Sequence, residues 1–201
     1  MTIKCILFDA DGVIINSEMF GVQYQNKYAI SKDDIIPFFK EDFPNCIIGK
    51  ADLMESLENW LPKWKWTGTV AEFLELWFSS ENNVDKRMLS MIEELRKNGI
   101  KCFLATNQEK YRTDYIRNTM NFDELFDNIF SSSDIGYKKP EIEFYEFILK
   151  ELEINYAIHS NEIMFFDDSP ENIATALEVN IDAHLYKDFK DFRQLITSIL
   201  N

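Results

Sequence analysis

The stretch that decides the fold is Ile3-Lys4-Cys5-Ile6-Leu7-Phe8-Asp9-Ala10-Asp11-Gly12. Its apolar first part is typical of a central parallel strand that is buried on both faces and ends in a loop. Two aspartates two residues apart can point into one crevice where the chain turns, and Gly12 permits that turn. Phosphoryl transfer could use one as nucleophile and the other as general acid and base. A polar turn would explain the same residues.

Similar apolar runs recur at residues 101–105, 129–130, 163–166 and 183–186. Helical patterns separate them, the clearest at residues 85–98, which carries apolar residues on one face and stops at Gly99. Pro140 and Pro170 are each expected to open a helix, and residues 188–200 form a closing amphipathic one. This alternation predicts an α/β fold with a Rossmann-like parallel sheet and helices on both faces.

The pattern of apolar residues is different between residues 16 and 83. This part holds all four tryptophans and shows helical periodicity without a convincing buried strand. We therefore predict a helical insertion at residues 16–83, within a core formed by residues 1–15 and 84–201.

Two further polar segments follow predicted strands or lie close to them. Thr106 and the amides after it can hold a phosphate at a helix start, although Thr106 and Glu109 also fit the spacing of a capping box. Lys139, beside Pro140, could neutralise a phosphoryl oxygen and the nucleophile's carboxylate, or it could belong to a solvated basic pair. Each segment taken alone has an ordinary structural explanation.

Asp167 and Asp168 form the last segment, just after the predicted strand at residues 163–166. Like charges at about 4 Å repel by roughly 4 kcal/mol at an effective dielectric constant near 20. A divalent cation removes that cost, and Mg²⁺ favours one or two carboxylates together with phosphate oxygens and water. Parallel strands would bring Asp9, Thr106 and Asp168 to one edge of the sheet, where open α/β sheets bind ligands.

Composition excludes several other classes of function. The formal net charge of -14 argues against nucleic acid or an anionic membrane as the main partner. No stretch approaches the roughly 20 apolar residues of a membrane span. Three cysteines offer no disulfide or zinc spacing, which favours buried thiols in a reducing cytosol. We expect a cytoplasmic protein.

The ordered segments resemble the motifs of haloacid dehalogenase-like hydrolases, in the subgroup with a helical cap after the first strand. The likeness covers essentially the whole core. In chain order, the matching segments are Asp9-Ala10-Asp11-Gly12-Val13, Thr106, Lys139-Pro140 and Asp167-Asp168-Ser169.

The resemblance implies a role for each matching residue. Asp9 would attack phosphorus and become an aspartyl phosphate, while Asp11 protonates the leaving alcohol and then deprotonates the attacking water. Thr106, the amide of Asn107 and Lys139 would hold the phosphoryl oxygens.

The same resemblance implies a magnesium site. Its ligands would be the Asp9 carboxylate, the backbone carbonyl of Asp11 and Asp168. Asp167 would be either a further ligand or a group that orients the metal's waters.

From these roles we expect a magnesium-dependent phosphatase that acts on a small phosphorylated metabolite. We expect it to be a monomer or a small homo-oligomer. The cap would close over the site and exclude water. Cys46-Ile47-Ile48-Gly49-Lys50 resembles the cap loop that faces the active site in relatives, so Lys50 is expected to contact substrate.

Four other classes of protein share part of this pattern. A β-phosphoglucomutase-like mutase shares the motifs, but residues 18–23 lack the histidine that this group carries there. Haloalkanoic acid dehalogenases usually lack an acid at the position of Asp11 and need no metal. A receiver-like signalling domain places its acidic pair and its phosphorylated aspartate in the reverse order. A phosphate-binding protein without turnover would not need all four motifs.

Overall fold

The computed structural model describes residues 2–28 and 30–200, without the side chains of residues 198–200. Within these residues the core is a five-stranded parallel sheet in the order β3-β2-β1-β4-β5. The predicted parallel α/β architecture is confirmed. The strands are β1 (Cys5–Phe8), β2 (Lys101–Thr106), β3 (Asn128–Ser131), β4 (Ile163–Asp167) and β5 (Asp182–Leu185).

Helices cover both faces of the sheet. Alternate residues of β1 enter two separate hydrophobic clusters: Ile6 and Phe8 belong to one, and Cys5 and Leu7 to the other. All four are fully buried, which explains why β1 is apolar without alternation. The helices after residue 85 are α6 (Lys86–Lys97), α7 (Lys110–Asp114), α8 (Phe122–Leu125), α9 (Ser132–Ile135), α10 (Ile142–Tyr156), α11 (Pro170–Glu178) and α12 (Phe189–Leu200).

Helix α6 agrees with its predicted bounds, capped by Asp85 and with its apolar face buried. The two proline helices differ in detail. Helix α10 begins two residues after Pro140, which follows Lys139 through a cis peptide bond. Helix α11 does begin at Pro170, but it turns Asn172 and Ala176 to the interior. Its Leu177, which the apolar pattern would place inside, is 53% exposed.

Between β1 and α6 the described residues form five helices with a hydrophobic cluster of their own. Phe38, Trp64 and Phe73 lie at its centre, in ring-to-ring contact. This arrangement agrees with the helical texture expected for residues 16–83. The helices are α1 (Phe20–Tyr28), α2 (Lys32–Glu41), α3 (Phe43–Ile47), α4 (Leu53–Glu58) and α5 (Val70–Ser80).

The insertion begins and ends at one place. Ile15 and Val84 form an antiparallel bridge, and the Asn16 amide donates to the Asn83 carbonyl at 2.8 Å. Asn83 returns a hydrogen bond of 2.8 Å from its side chain to the Asn16 carbonyl. The two linkers are therefore tied together where the helices leave the core.

Helices α7 and α9, which follow the ends of β2 and β3, donate hydrogen bonds to the insertion. Tyr111 donates its hydroxyl to Asp52 Oδ2 at 2.7 Å, and Ser132 donates to the Ile47 carbonyl at 2.7 Å. Among the described residues, no helix is long and apolar enough to cross a membrane.

Candidate active site

The register of the sheet brings the predicted motif residues to one edge. Phe8 pairs with Leu104 of β2 and with Phe166 of β4. Asp9 therefore emerges between Thr106, which ends β2, and Asp167, which ends β4. The Asp9 amide donates to the Phe166 carbonyl at 2.9 Å and extends the ladder to this point.

Lys139 joins two of these strand ends. Its ammonium lies 2.8 Å from Asp9 Oδ1 and 2.6 Å from Asp167 Oδ2. The Lys139 side chain is 1% exposed and that of Asp167 is completely buried. Asp9 Oδ1 also accepts the Ala10 amide at 2.7 Å. Asp9 Oδ2 accepts no hydrogen bond from the part of the chain that the structure describes, so it remains available for chemistry.

Protein donors occupy both oxygens of Asp167. Oδ1 accepts the Ser169 amide at 2.8 Å and the Asn172 side-chain amide at 2.9 Å, while Oδ2 accepts Lys139. Ser169 occupies the N-cap position of α11, but its own side chain makes no capping bond. The carboxylate of Asp167 thus organises its surroundings and has little capacity left for a metal.

Asp9, Asp167 and Asp168 form a candidate cation site, because each offers a carboxylate oxygen within 4.8 Å of the others. Asp168 is the exposed member of the three. Gly12 lies against it in the left-handed region, at φ +82°, and a Cβ atom there would be only 2.1 Å from Asp168 Oδ2. Only glycine allows this approach. Hard oxygen donors of this kind suit Mg²⁺.

The electrostatics also favour a bound cation. Burial raises the pKa of Asp9 to about 7; Lys139 opposes this shift and Asp167 adds to it. Burial, together with Asp167, raises the pKa of Asp168. Burial by itself would lower the pKa of Lys139, but the carboxylates of Asp9 and Asp167 outweigh it and raise that pKa. The site holds more negative charge than one lysine balances, and the oxygen donors present fit Mg²⁺.

Asp11 lies at the exposed side of this edge. Its Oδ2 accepts the side-chain amide of Gln108 at 2.5 Å. The Asp11 side chain is not among the carboxylates that share the candidate cation site, and only its backbone carbonyl is expected to bind the metal.

Thr106 and Asn107 lie beside Lys139. The Thr106 side chain is buried, and its hydroxyl makes no hydrogen bond with any described residue. The Asn107 side chain forms a pair of hydrogen bonds with the Lys139 backbone, to its carbonyl at 2.9 Å and from its amide at 2.8 Å. These bonds leave the Asn107 backbone amide as its candidate phosphate donor, and they fix the start of the lysine loop.

The capping box expected for Thr106 and Glu109 is wrong. Helix α7 begins at Lys110, and Glu109 itself occupies the N-cap position, accepting the amides of Tyr111 and Arg112. Thr106 belongs to the strand instead. Its hydroxyl is thereby left free of a capping role.

Lys50 is exposed and forms no ion pair with any described residue. Its loop nonetheless approaches the sheet edge, because a Cβ at Gly49 would lie 2.5 Å from the Ser133 carbonyl oxygen. The predicted substrate contact of Lys50 stays a prediction.

Two residues of the site were not singled out from the sequence. Gln108 contacts Asp11, 97 positions away in the chain, and no sequence pattern marks such a contact. Asn172 could have been noticed, because a buried amide on an apolar helix face requires a hydrogen-bond partner.

A parallel α/β sheet with four acidic residues and a buried lysine at its carboxyl edge defines an enzyme active site. The sequence of residues 3–180 matches the haloacid dehalogenase-like hydrolases. The protein belongs to that family.

Relatives of described activity share part of the chain. The sesquiterpene phosphatase astK of Aspergillus oryzae is 34% identical over 116 residues, which are 56% of this chain and 57% of the relative. Bifunctional epoxide hydrolase 2 of Rattus norvegicus is 24% identical over 94% of this chain and 37% of its own. The chain thus spans only part of the length of both relatives.

A solved structure shows the same fold over nearly the full length. A haloacid dehalogenase family enzyme from Bacteroides thetaiotaomicron superposes with a TM-score of 0.82 at 19% identity, covering 98% of this chain and 99% of that one. The same enzyme in complex with magnesium and inorganic phosphate gives a TM-score of 0.78 at 22% identity, over 96% and 98%.

Proposed function

We propose that the protein is a magnesium-dependent phosphatase that hydrolyses a small phosphorylated metabolite through an aspartyl phosphate on Asp9. One observation carries the proposal: Lys139 fixes Asp9 Oδ1 while Asp9 Oδ2 has no donor among the described residues. A carboxylate held at one oxygen and open at the other is prepared for nucleophilic attack.

Mg²⁺ would be held by carboxylate oxygens of Asp9 and Asp168 and by the Asp11 carbonyl. When bound, it offsets the negative charge of the carboxylates and of the phosphate. Asp167 serves better as the group that positions Lys139, because both of its oxygens already accept protein donors. Asp168 is more exposed and free to bind the ion.

The chain's own residues account for both halves of the reaction. As the Asp9–phosphorus bond forms and the ester bond breaks, Asp11 donates a proton to the leaving oxygen. Water then attacks phosphorus, Asp11 takes its proton, and Asp9 is released as a carboxylate. The Thr106 hydroxyl, the Asn107 amide and the Lys139 ammonium are donors for the phosphoryl oxygens, where negative charge accumulates.

The helices between residues 16 and 83 act as the cap in this proposal. Their own hydrophobic cluster supports a separate body, and the hydrogen bonds of Tyr111 to Asp52 and of Ser132 to Ile47 bring it to the sheet edge. Closure there would exclude water from the phosphoryl group.

The test is an assay of the purified protein on 4-nitrophenyl phosphate with and without Mg²⁺, beside Asp9→Asn. The exposed Asp191→Asn substitution on α12 is a matched control that should keep full activity. Asp9→Asn or complete chelation should abolish turnover, and activity that survives either change contradicts the proposal.

A panel of phosphate esters should then define the substrate. Sugar phosphates, nucleotides and phosphoglycolate-type acids belong in it, together with terpenyl phosphates, because one relative is a sesquiterpene phosphatase. Phosphate that moves within a sugar instead of being released would indicate a mutase.

A further inference from the structure

The side chain of Gln108 makes a contact that the motif residues do not explain. Its Nε2 donates to Asp11 Oδ2 at 2.5 Å. Gln108 is 7% exposed, whereas Asp11 is exposed. An ionised carboxylate can only accept hydrogen bonds, so the amide nitrogen must face it. The contact therefore fixes one oxygen of Asp11 and leaves Oδ1 without a donor in the described structure.

The backbone holds Gln108 firmly enough for this task. It lies two residues after the end of β2, and its carbonyl accepts the Ser131 hydroxyl at 3.1 Å and the Ser133 amide at 3.2 Å. Ser131 ends β3, the neighbouring strand, and Ser133 lies in the helix α9 that follows it. Gln108 is thus tied to the sheet. Its hydrogen bond holds the exposed side chain of Asp11, in the loop after β1, in a fixed position.

We propose that Gln108 is a positioning residue that orients the carboxyl group of Asp11, so that Oδ1 delivers the proton to the leaving oxygen. The inference rests on the proposed phosphatase function. In the first half-reaction the proton moves from Asp11 Oδ1 to the ester oxygen as the phosphorus–oxygen bond breaks. In the second it moves from water to the same atom as the aspartyl phosphate is hydrolysed.

Leaving-group chemistry separates this role from a structural one. 4-Nitrophenolate leaves without protonation, whereas an alkoxide needs the proton. General acid catalysis typically contributes about 10²- to 10⁴-fold, so losing the orientation of Asp11 should remove part of that factor for alkyl esters only. The informative constant is kcat/KM, which reports steps up to phosphoryl transfer onto Asp9.

The experiment compares Gln108→Met with the wild type on 4-nitrophenyl phosphate and on the best alkyl phosphate of the panel. Methionine keeps the length and removes the donor. We expect kcat/KM to fall about 10- to 100-fold for the alkyl ester and less than about 3-fold for the aryl ester. Gln194→Met, at an exposed position of α12, is the matched control for the substitution itself.

Three further measurements complete the test. Thermal unfolding shows whether Gln108→Met folds, and Gln108→Glu, which replaces the donor with an acceptor, should give the same split. Asp11→Asn should give a larger split, and adding Gln108→Met to it should cost nothing more, because Gln108 acts through Asp11. Equal losses on both esters, or no loss, would overturn the role of Gln108. An inactive wild type would overturn the proposed function as well.

Discussion

The Lys139 ammonium lies 2.6 Å from Asp167 Oδ2, and both side chains are closed to solvent. Each group compensates the desolvation of the other, and Asp167 directs the lysine toward Asp9. Removing one partner of a buried ion pair typically costs about 3–5 kcal/mol, because the remaining charge is left unpaired.

Lys139→Met should therefore abolish phosphatase activity and lower the free energy of unfolding by about 3 kcal/mol. Urea unfolding and steady-state assays measure the two effects. Lys138→Met is the matched control, since Lys138 is partly exposed and forms no ion pair with the described residues. Equal effects at both positions would show that the buried ion pair contributes no more to activity and stability than a partly exposed lysine does.

The two adjacent aspartates should differ in their effect on the metal. Asp168→Asn should raise the Mg²⁺ concentration for half-maximal activity at least about tenfold, because Asp168 has a carboxylate free to bind the ion. Asp167→Asn should mainly lower kcat, because it disturbs Lys139. Magnesium titrations of both variants measure this difference, and a larger magnesium defect in Asp167→Asn would make that residue the principal ligand.

Gly12→Ala should inactivate the enzyme, because the new Cβ would collide with the Asp168 carboxylate. Gly136 also has a left-handed backbone, at φ +86°, but nothing lies within 4 Å of a Cβ there. Both substitutions should cost roughly 1–2 kcal/mol of stability from backbone strain. Only Gly12→Ala should lose turnover, and an active Gly12→Ala would contradict the close approach.

Glu109 should make stability depend on pH. Burial raises its pKa from 4.5 to about 7, so the folded state holds a proton that the unfolded state releases between these values. Stability should therefore fall as pH rises from about 4.5 to 7. In Glu109→Gln this loss, which amounts to about 3 kcal/mol, should disappear.

Urea unfolding at pH 5 and at pH 8 measures the effect. The substitution also removes one acceptor from the cap of α7, a loss that should be similar at both pH values. The exposed Glu146→Gln on α10 serves as control. The same pH dependence in Glu109→Gln and the wild type would show that Glu109 is not its source.

Much of the fold followed from the sequence because its signals are local. Buried strands such as β1 are continuous apolar runs, and each ends at a polar group whose position in the sheet follows from parallel topology. The gathering of Asp9, Asp167 and Asp168 required only that topology, whereas Lys139 comes from the loop between α9 and α10. The helical insertion was predictable because its apolar residues recur at helical spacing and form no convincing buried strand.

The features that could not be predicted from the sequence depend on tertiary contacts. Helix α11 turns Asn172 inward because its amide binds Asp167, and the apolar Leu177 is left exposed. Asn107 forms hydrogen bonds with the backbone of Lys139, 32 residues away, and no local sequence pattern predicts that contact. Glu109 became a helix cap because the strand before it extends through Thr106.

The linkers at Asn16 and Asn83 have a consequence for how such proteins diversify. Because both ends of the insertion meet at one hydrogen-bonded junction, a helical segment of different length could be exchanged there without moving any catalytic strand. In the proposed phosphatase, such an exchange would alter the part that covers the ester and leave the residues of the sheet edge in place.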